Sequence, residues 1–232
     1  MDDLVLEIQG LRKSYKKQCV LQHVNLQVQH SSICALLGPN GSGKTTLLKI
    51  ILGLIYPTSY ILFKNIDKED IRYMPQHPNF PPNIKVSELL SLIQSLKKQK
   101  GEDLEELIYT FSVESFLDKC IRELSGGMKQ RVNIVQAFMF PGYLYLLDEP
   151  TMGLDPHVAF LFKNLLRRKR DQGAAILFTS HIMSEVEQLA DELVLMIEGY
   201  VYMQSDPQTI ITEGDAMNLE QALHHYWIAK VD

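Results

Sequence analysis

The chain has 232 residues, 46% hydrophobic and 22% charged, with a formal net charge of −5. That balance suits one large globular domain or two modest lobes and excludes disordered, collagen-like and coiled-coil chains. The acidic surplus argues against a non-specific nucleic-acid binder, which presents a basic face. Cys19, Cys34 and Cys120 are too few and too scattered for a disulfide framework or a zinc pattern, and they read as reduced thiols of a cytosolic protein. The start, Met1-Asp2-Asp3, is acidic with no apolar leader behind it, and no run reaches eighteen apolar residues. The expectation is a chain that does not itself cross a membrane.

Leu4, Leu6 and Ile8 alternate, as do Val24, Leu26 and Val28, and each set predicts a half-buried strand. Ile33 to Leu37 is a continuous apolar run and predicts a fully buried strand. A helix is expected from Thr46 to Leu54, with short strands at Tyr60–Phe63 and Ile71–Met74. Pro75 to Pro82 holds four prolines and can be neither helix nor central strand, so a lobe boundary falls there. From Val86 to Ile134 the pattern turns helical. Leu89, Leu92, Ile93 and Leu96 are expected on one apolar face, and Leu104, Leu107 and Ile108 on another. Buried strands return at Tyr143–Leu147 and Ala174–Phe178, separated by a helix from His157 to Arg170. A hairpin is expected around Glu198-Gly199 and a tail helix from Leu219 to Ala229. Strand–helix alternation with buried strands implies an α/β fold with a mostly parallel sheet and a helical insertion.

Gly38-Pro39-Asn40-Gly41-Ser42-Gly43-Lys44-Thr45 matches G-x-x-x-x-G-K-[ST] between a predicted strand and a predicted helix. Glycines let the backbone curl so that successive N–H groups face phosphate oxygens, and the helix N-terminus adds partial positive charge. Lys44 is expected at the β/γ-phosphates and Thr45 at Mg²⁺. The motif alone leaves kinase, GTPase, motor and transporter ATPase open. Leu144 to Glu149 is a buried strand ending in two carboxylates. Asp148 supports Mg²⁺, and Glu149, expected to point elsewhere by strand alternation, is placed to polarise water. Leu124-Ser125-Gly126-Gly127-Met128 opens an apolar helix capped by Ser125, a second anion cradle by the same physics. One ATP does not need two cradles in one chain, so the second is expected to serve an ATP held by another subunit.

With these motifs in order, the chain resembles the ATP-binding subunit of an ABC transporter over roughly residues 4 to 205. The resemblance implies a P-loop NTPase fold of RecA type with a small antiparallel β part. Its catalytic lobe would be 1–75 with 142–232, and its helical signature lobe 76–141. It implies Tyr15, followed by Val20, stacking on adenine; Gly38 to Thr46, with Pro39, Asn40, Gly41, Ser42 and Gly43, around the phosphates; and Thr45, Gln76 and Asp148 around Mg²⁺. Glu149 would be the general base, and His181 in Thr179-Ser180-His181 would contact the γ-phosphate. Asp155 in Gly153-Leu154-Asp155 would act across a dimer interface, and Ser125, Gly126, Gly127 and Met128 would reach the partner copy's ATP. Met128 departs from the Gln more usual there, and Tyr60 replaces a usual glycine, so the small antiparallel sheet is expected to be trimmed. The implied partners are a second copy and a transmembrane permease, with no nucleic acid. The implied place is the cytoplasmic face of the inner membrane. The string Thr179 to Glu187 is similar to exporter ATPases, and Tyr73 to Leu90 is most like a copper-processing subgroup. Phe80, set among prolines, is expected at the permease contact. The rival reading is a soluble ABC protein of translation or DNA repair.

Overall fold

The computed structural model describes residues 4–16, 18–58, 61–63 and 67–228. Its centre is a six-stranded sheet built from β3 (Ile33–Leu37), β5 (Ile71–Met74), β6 (Leu144–Asp148), β7 (Ala175–Thr179), β8 (Glu192–Ile197) and β9 (Tyr200–Ser205). The order is β5-β6-β7-β3-β8-β9, parallel except for the antiparallel β8–β9 hairpin.

Period two explains why β3, β6 and β7 are buried along their whole length, since successive side chains face opposite sides. Cys34, Leu36, Leu144, Leu146 and Leu177 enter one core, while Ile33, Ala35, Leu37, Tyr145 and Phe178 enter the other. Both faces are covered, so no polar alternation survives. The first core is closed by β1 (Leu4–Tyr15) and β2 (Gln18–Gln29), which pair antiparallel, and by α1 (Lys44–Ile51). The alternation at Val24, Leu26 and Val28 is an inward-facing row. β4 (Ile61–Phe63) is a strand against Leu6 to Ile8, and the residues on either side of it, where trimming of this sheet was expected, lie outside the described residues. Tyr60, the first residue of the expected strand, lies outside the described residues.

The second core is closed by α2 (Val86–Lys97), α3 (Leu104–Thr110), α4 (Gly126–Phe138), α5 (Pro156–Asp171), α6 (Met183–Leu189), α7 (Pro207–Glu213) and α8 (Leu219–Ile228). Ala229, the expected end of the tail helix, lies outside the described residues. The helical stretch 86–134 is three helices joined by turns. The apolar face expected on α2 is turned. Val86, Leu89 and Leu90 are buried and Ile93 packs on them, whereas Leu92 and Leu96 are exposed. The i, i+3, i+4, i+7 row that won is the one that meets α4. α1 begins two residues earlier than expected and ends at Ile51, because Gly53 takes a left-handed φ of 71° and turns the chain away. Phe80 is partly buried against the second core rather than projecting from the proline-rich loop.

Candidate functional site

The glycine-rich loop leaves the end of β3 between the ends of β7 and β8, with β6 one strand further. That carboxyl edge of a parallel sheet is where α/β folds bind ligands. Gly43 has φ 104°, and a Cβ there would lie 2.6 Å from Leu21 Cδ2. At Gly38 a Cβ would fall 2.0 Å from the Met196 carbonyl oxygen. Only glycine lets the loop curl this tightly against β8 before α1 starts. The N–H groups at the start of α1 have no partner within the helix and face out of its N-terminus. Lys44 Nζ folds back on the loop, donating to Gly38 O at 2.6 Å and Pro39 O at 3.2 Å. Burial lowers its pKa from the usual lysine value, opposed by the charges of Glu149 and Asp148. Ser42 Oγ is buried and has no hydrogen-bond partner among the described residues.

Thr45 Oγ1 donates to Asp148 Oδ2 at 3.0 Å, and Thr179 Oγ1 donates to Asp148 Oδ1 at 2.7 Å. Thr179 is fully buried and also accepts from the Glu149 N–H at 2.8 Å. Glu149 does not separate from Asp148 by strand alternation as expected. β6 stops at Asp148, and Glu149 takes a left-handed φ of 48°. That turn aims its Oε2 at His181 Nδ1, 2.7 Å away on the loop after β7. Gln76 Nε2 donates to Met152 Sδ at 3.6 Å, so the loops after β5 and β6 touch.

A cleft of about 350 Å³ opens onto part of this cluster, walled by Val20, Asn40, Gly41, Gly43, Lys44, Thr45, Thr46, Gln76, Asp148 and Glu149 among others. Gly38, Pro39, Ser42 and His181 stand beside that wall without forming it, and Ser125, Gly126, Gly127, Met128, Asp155 and Tyr15 are not part of it either. Tyr15 ends β1, with Lys13 Nζ 5.1 Å from its ring centroid. Ser125 caps α4 by accepting from Met128 N–H at 3.3 Å. Asp155 caps α5 by accepting from Val158 N–H at 2.9 Å and pairs with Arg131 at 2.7 Å.

Three supporting residues escaped the sequence reading. Thr179 ends an apolar run and looked like part of the His181 motif. Gln130 and Asn133 are buried polar residues on α4. Gln130 Nε2 donates to Pro150 O at 3.0 Å and Asn133 Nδ2 to Pro75 O at 2.8 Å. One helix therefore holds the carbonyls that flank both Glu149 and Gln76. The available signal was the polar series Gln130, Asn133, Gln136 at helical spacing inside an apolar segment.

Fold and loop together define a P-loop nucleoside triphosphatase. The ABC transporter family model matches residues 21–152. An uncharacterized ABC transporter ATP-binding protein of Bacillus subtilis, YxlF, is 33% identical, over 89% of this chain and 72% of that protein. The lantibiotic transport ATP-binding protein SrtF of Streptococcus pyogenes is 31% identical over 87% and 91%. The Nod factor export ATP-binding protein I of Ralstonia nicotianae is 32% identical over 90% and 69%. A solved ATP-binding subunit of an ABC transporter superposes with a TM-score of 0.88 at 28% identity, covering 95% of this chain and 98% of that one. This chain belongs to the ABC transporter ATP-binding family. It is a nucleotide-binding ATPase that serves a membrane permease. Among the described residues no helix is long and apolar enough to cross a membrane.

Proposed function

We propose that the chain is the motor of an exporter, hydrolysing Mg²⁺-bound ATP to ADP and phosphate between two head-to-tail copies on the cytoplasmic face of the membrane. The observation that carries this reading is the Glu149–His181 contact beside the Thr45–Asp148 pair. Export is supported by the relatives named for lantibiotic transport and Nod factor export; those names bear on direction and leave the cargo open.

The residues fit both ligands. The glycine cradle that a Cβ would fill, the orphaned Ser42 hydroxyl and the buried Lys44 ammonium suit a phosphate chain. A hydroxyl and a carboxylate 3.0 Å apart, with the Gln76 amide on the same wall, are hard oxygen donors of the kind Mg²⁺ takes alongside phosphate. When bound, Mg²⁺ neutralises charge on the phosphate oxygens. Tyr15 and Val20 take the adenine, and Gly38 to Thr46 hold the phosphates. Glu149 accepts a proton from the attacking water as its oxygen bonds to the γ-phosphorus and the bond to the β–γ bridging oxygen breaks. His181 orients Glu149 and reaches the γ-phosphate. Ser125 to Met128 and Asp155, at the starts of α4 and α5, serve the second copy's ATP. The lobes are 1–75 with 142–232 and 76–141, and closure of the dimer moves the helical lobe.

The test is phosphate release from ATP by the purified chain, with and without Mg²⁺, in wild type and Lys44→Ala. Mg²⁺-dependent release abolished by the substitution supports the reading, since charge-assisted contacts contribute roughly 1.5–3 kcal/mol each. Wild-type turnover in Lys44→Ala would sink it.

A further inference from the structure

A second cavity, of about 460 Å³, opens at the opposite edge of the six-stranded sheet, where β5 and β6 begin. Arg72 and Tyr145 are register partners there, so their side chains stand together on one face. The Tyr145 ring is fully buried and stacks on Phe138 with centroids 4.6 Å apart; the Gly142 backbone N–H faces its oxygen, yet among the described residues its O–H finds no acceptor. Arg72 spends its terminal nitrogens on the carbonyls of Glu69, Ile71 and Pro141, while Nε is buried and unpaired. No carboxylate bonds this guanidinium among the described residues; burial lowers its pKa, opposed by Tyr145 and the charge of Asp70.

Buried donors without partners are rare and call for a ligand, ion or water that the chain does not supply. The structure carries its own comparison. Of four orphaned side-chain atoms among the described residues, Ser42 Oγ lies in the phosphate loop and two, themselves covered, belong to residues of this cavity's wall; the fourth, Arg168 Nε, belongs to neither. Lys97 and Lys169 also line the cavity with Arg72, beside the carboxylates Glu69 and Asp70; Lys169 Nζ is held by Asp103, which leaves Lys97 and Arg72 as the cations not bonded to a carboxylate among the described residues. Gly142 forms part of the wall, and a Cβ there would fall 2.6 Å from Arg72 Cγ.

We propose that this cavity binds a small oxyanion-bearing molecule, whose phosphate or carboxylate oxygens accept from Arg72 Nε and the Tyr145 hydroxyl. Both donors are covered by the surrounding wall, so the oxyanion is seated by a swing of the Arg72 side chain. The site lies across the sheet from the nucleotide and does not depend on the roles assigned there.

The test uses the full chain saturated with ADP, which keeps the probes out of the glycine-rich loop. Inorganic phosphate and citrate are titrated separately, by calorimetry and by NMR of the Arg72 Nε–H. Saturable binding of at least one probe is expected, with a shift of that signal. Tyr145→Phe and Arg72→Gln should each weaken binding at least tenfold while ADP affinity is kept. Phosphate binding assigns the phosphate class, and binding of citrate alone assigns the carboxylate class. Failure of both probes overturns the proposal, as does binding that either variant leaves intact. Tyr145→Phe retains the stacked ring, and the wild-type NMR signal reads the site with no substitution, so misfolding of Arg72→Gln cannot decide the outcome.

Discussion

Glu149 Oε2 and His181 Nδ1 lie 2.7 Å apart, although the two residues belong to loops that follow different strands. Glu149 is nearly buried, with its side chain 12% exposed, while His181 is open to solvent at 65%. The contact shields the carboxylate on one side and leaves the imidazole free to meet a ligand on the other.

Glu149→Gln should abolish phosphate release and accumulate an ATP-bound dimer. The amide cannot take a proton from water, so the chemical step stalls. It also removes a negative charge facing the γ-phosphate; like charges a few ångströms apart cost on the order of 4 kcal/mol at an effective dielectric near 20. Size-exclusion chromatography with ATP and Mg²⁺, against ADP, reads the dimer directly. A variant that hydrolyses at the wild-type rate would remove Glu149 from the role of base.

The two loops are tied a second time behind the site. Thr151 Oγ1 donates to Glu185 Oε2 at 2.7 Å, and Lys163 Nζ lies 3.6 Å from Glu185 Oε1. Thr151 follows Glu149 by two residues, and Glu185 sits in the first turn of α6 just beyond His181. Thr151→Val should therefore lower kcat about threefold to tenfold, the effect of one hydrogen bond of roughly 0.5–1.5 kcal/mol. KM for ATP should hardly move, and Thr151→Ser should restore turnover. Loss of kcat that serine does not restore would mean the valine perturbs packing instead.

β3, β6 and β7 were legible because both of their faces are buried, and the P-loop because Gly38 and Gly43 leave no room for a side chain. What escaped was set by contacts distant in sequence. Nothing local in α2 says that Leu90 packs inward and Leu92 outward; the position of α4 decides it. Glu149 turns by a left-handed backbone that no glycine announces. Thr179 matters because β7 lies beside β6 in register, Asp148 opposite Thr179, a pairing joined across 31 residues of chain. The site's own residues were readable as motifs, whereas the polar residues that hold them, Gln130 and Asn133, resemble ordinary helix positions until the helix is seen between two loops.

Asp155 predicts a pH effect. The Val158 N–H, first, and Arg131 hold its carboxyl below the usual carboxylate range. A depressed folded-state value means its contribution to stability is present above the unfolded value, about pH 3.9, and is lost as pH falls through the folded one. Asp155→Asn keeps an acceptor for the helix cap but removes the charge facing Arg131. Melting temperatures between about pH 3 and pH 7 should fall more steeply on acidification for wild type than for this variant. Parallel curves would show that Asp155 contributes no charge-linked stability.

Ser125 offers the sharpest test of a shared site. It is exposed, and so is Gly126, around which a Cβ would meet nothing within 4 Å. The start of α4 thus presents unpaired N–H groups to solvent and does not line the chain's own cleft. If a second copy's ATP completes its coordination there, hydrolysis needs two chains. Turnover per chain should then rise with protein concentration before it saturates. Ser125→Ala should lower kcat at least tenfold, a loss of about 1.4 kcal/mol or more of transition-state stabilisation, while ATP affinity changes little. The substitution also removes the cap on Met128 N–H, at about 1 kcal/mol of stability. A melting curve separates that cost from catalysis, and Ser125→Thr retains the cap. Strict proportionality between rate and concentration, in a chain shown to remain monomeric with ATP, would mean that each copy hydrolyses alone and that Ser125 serves only its helix.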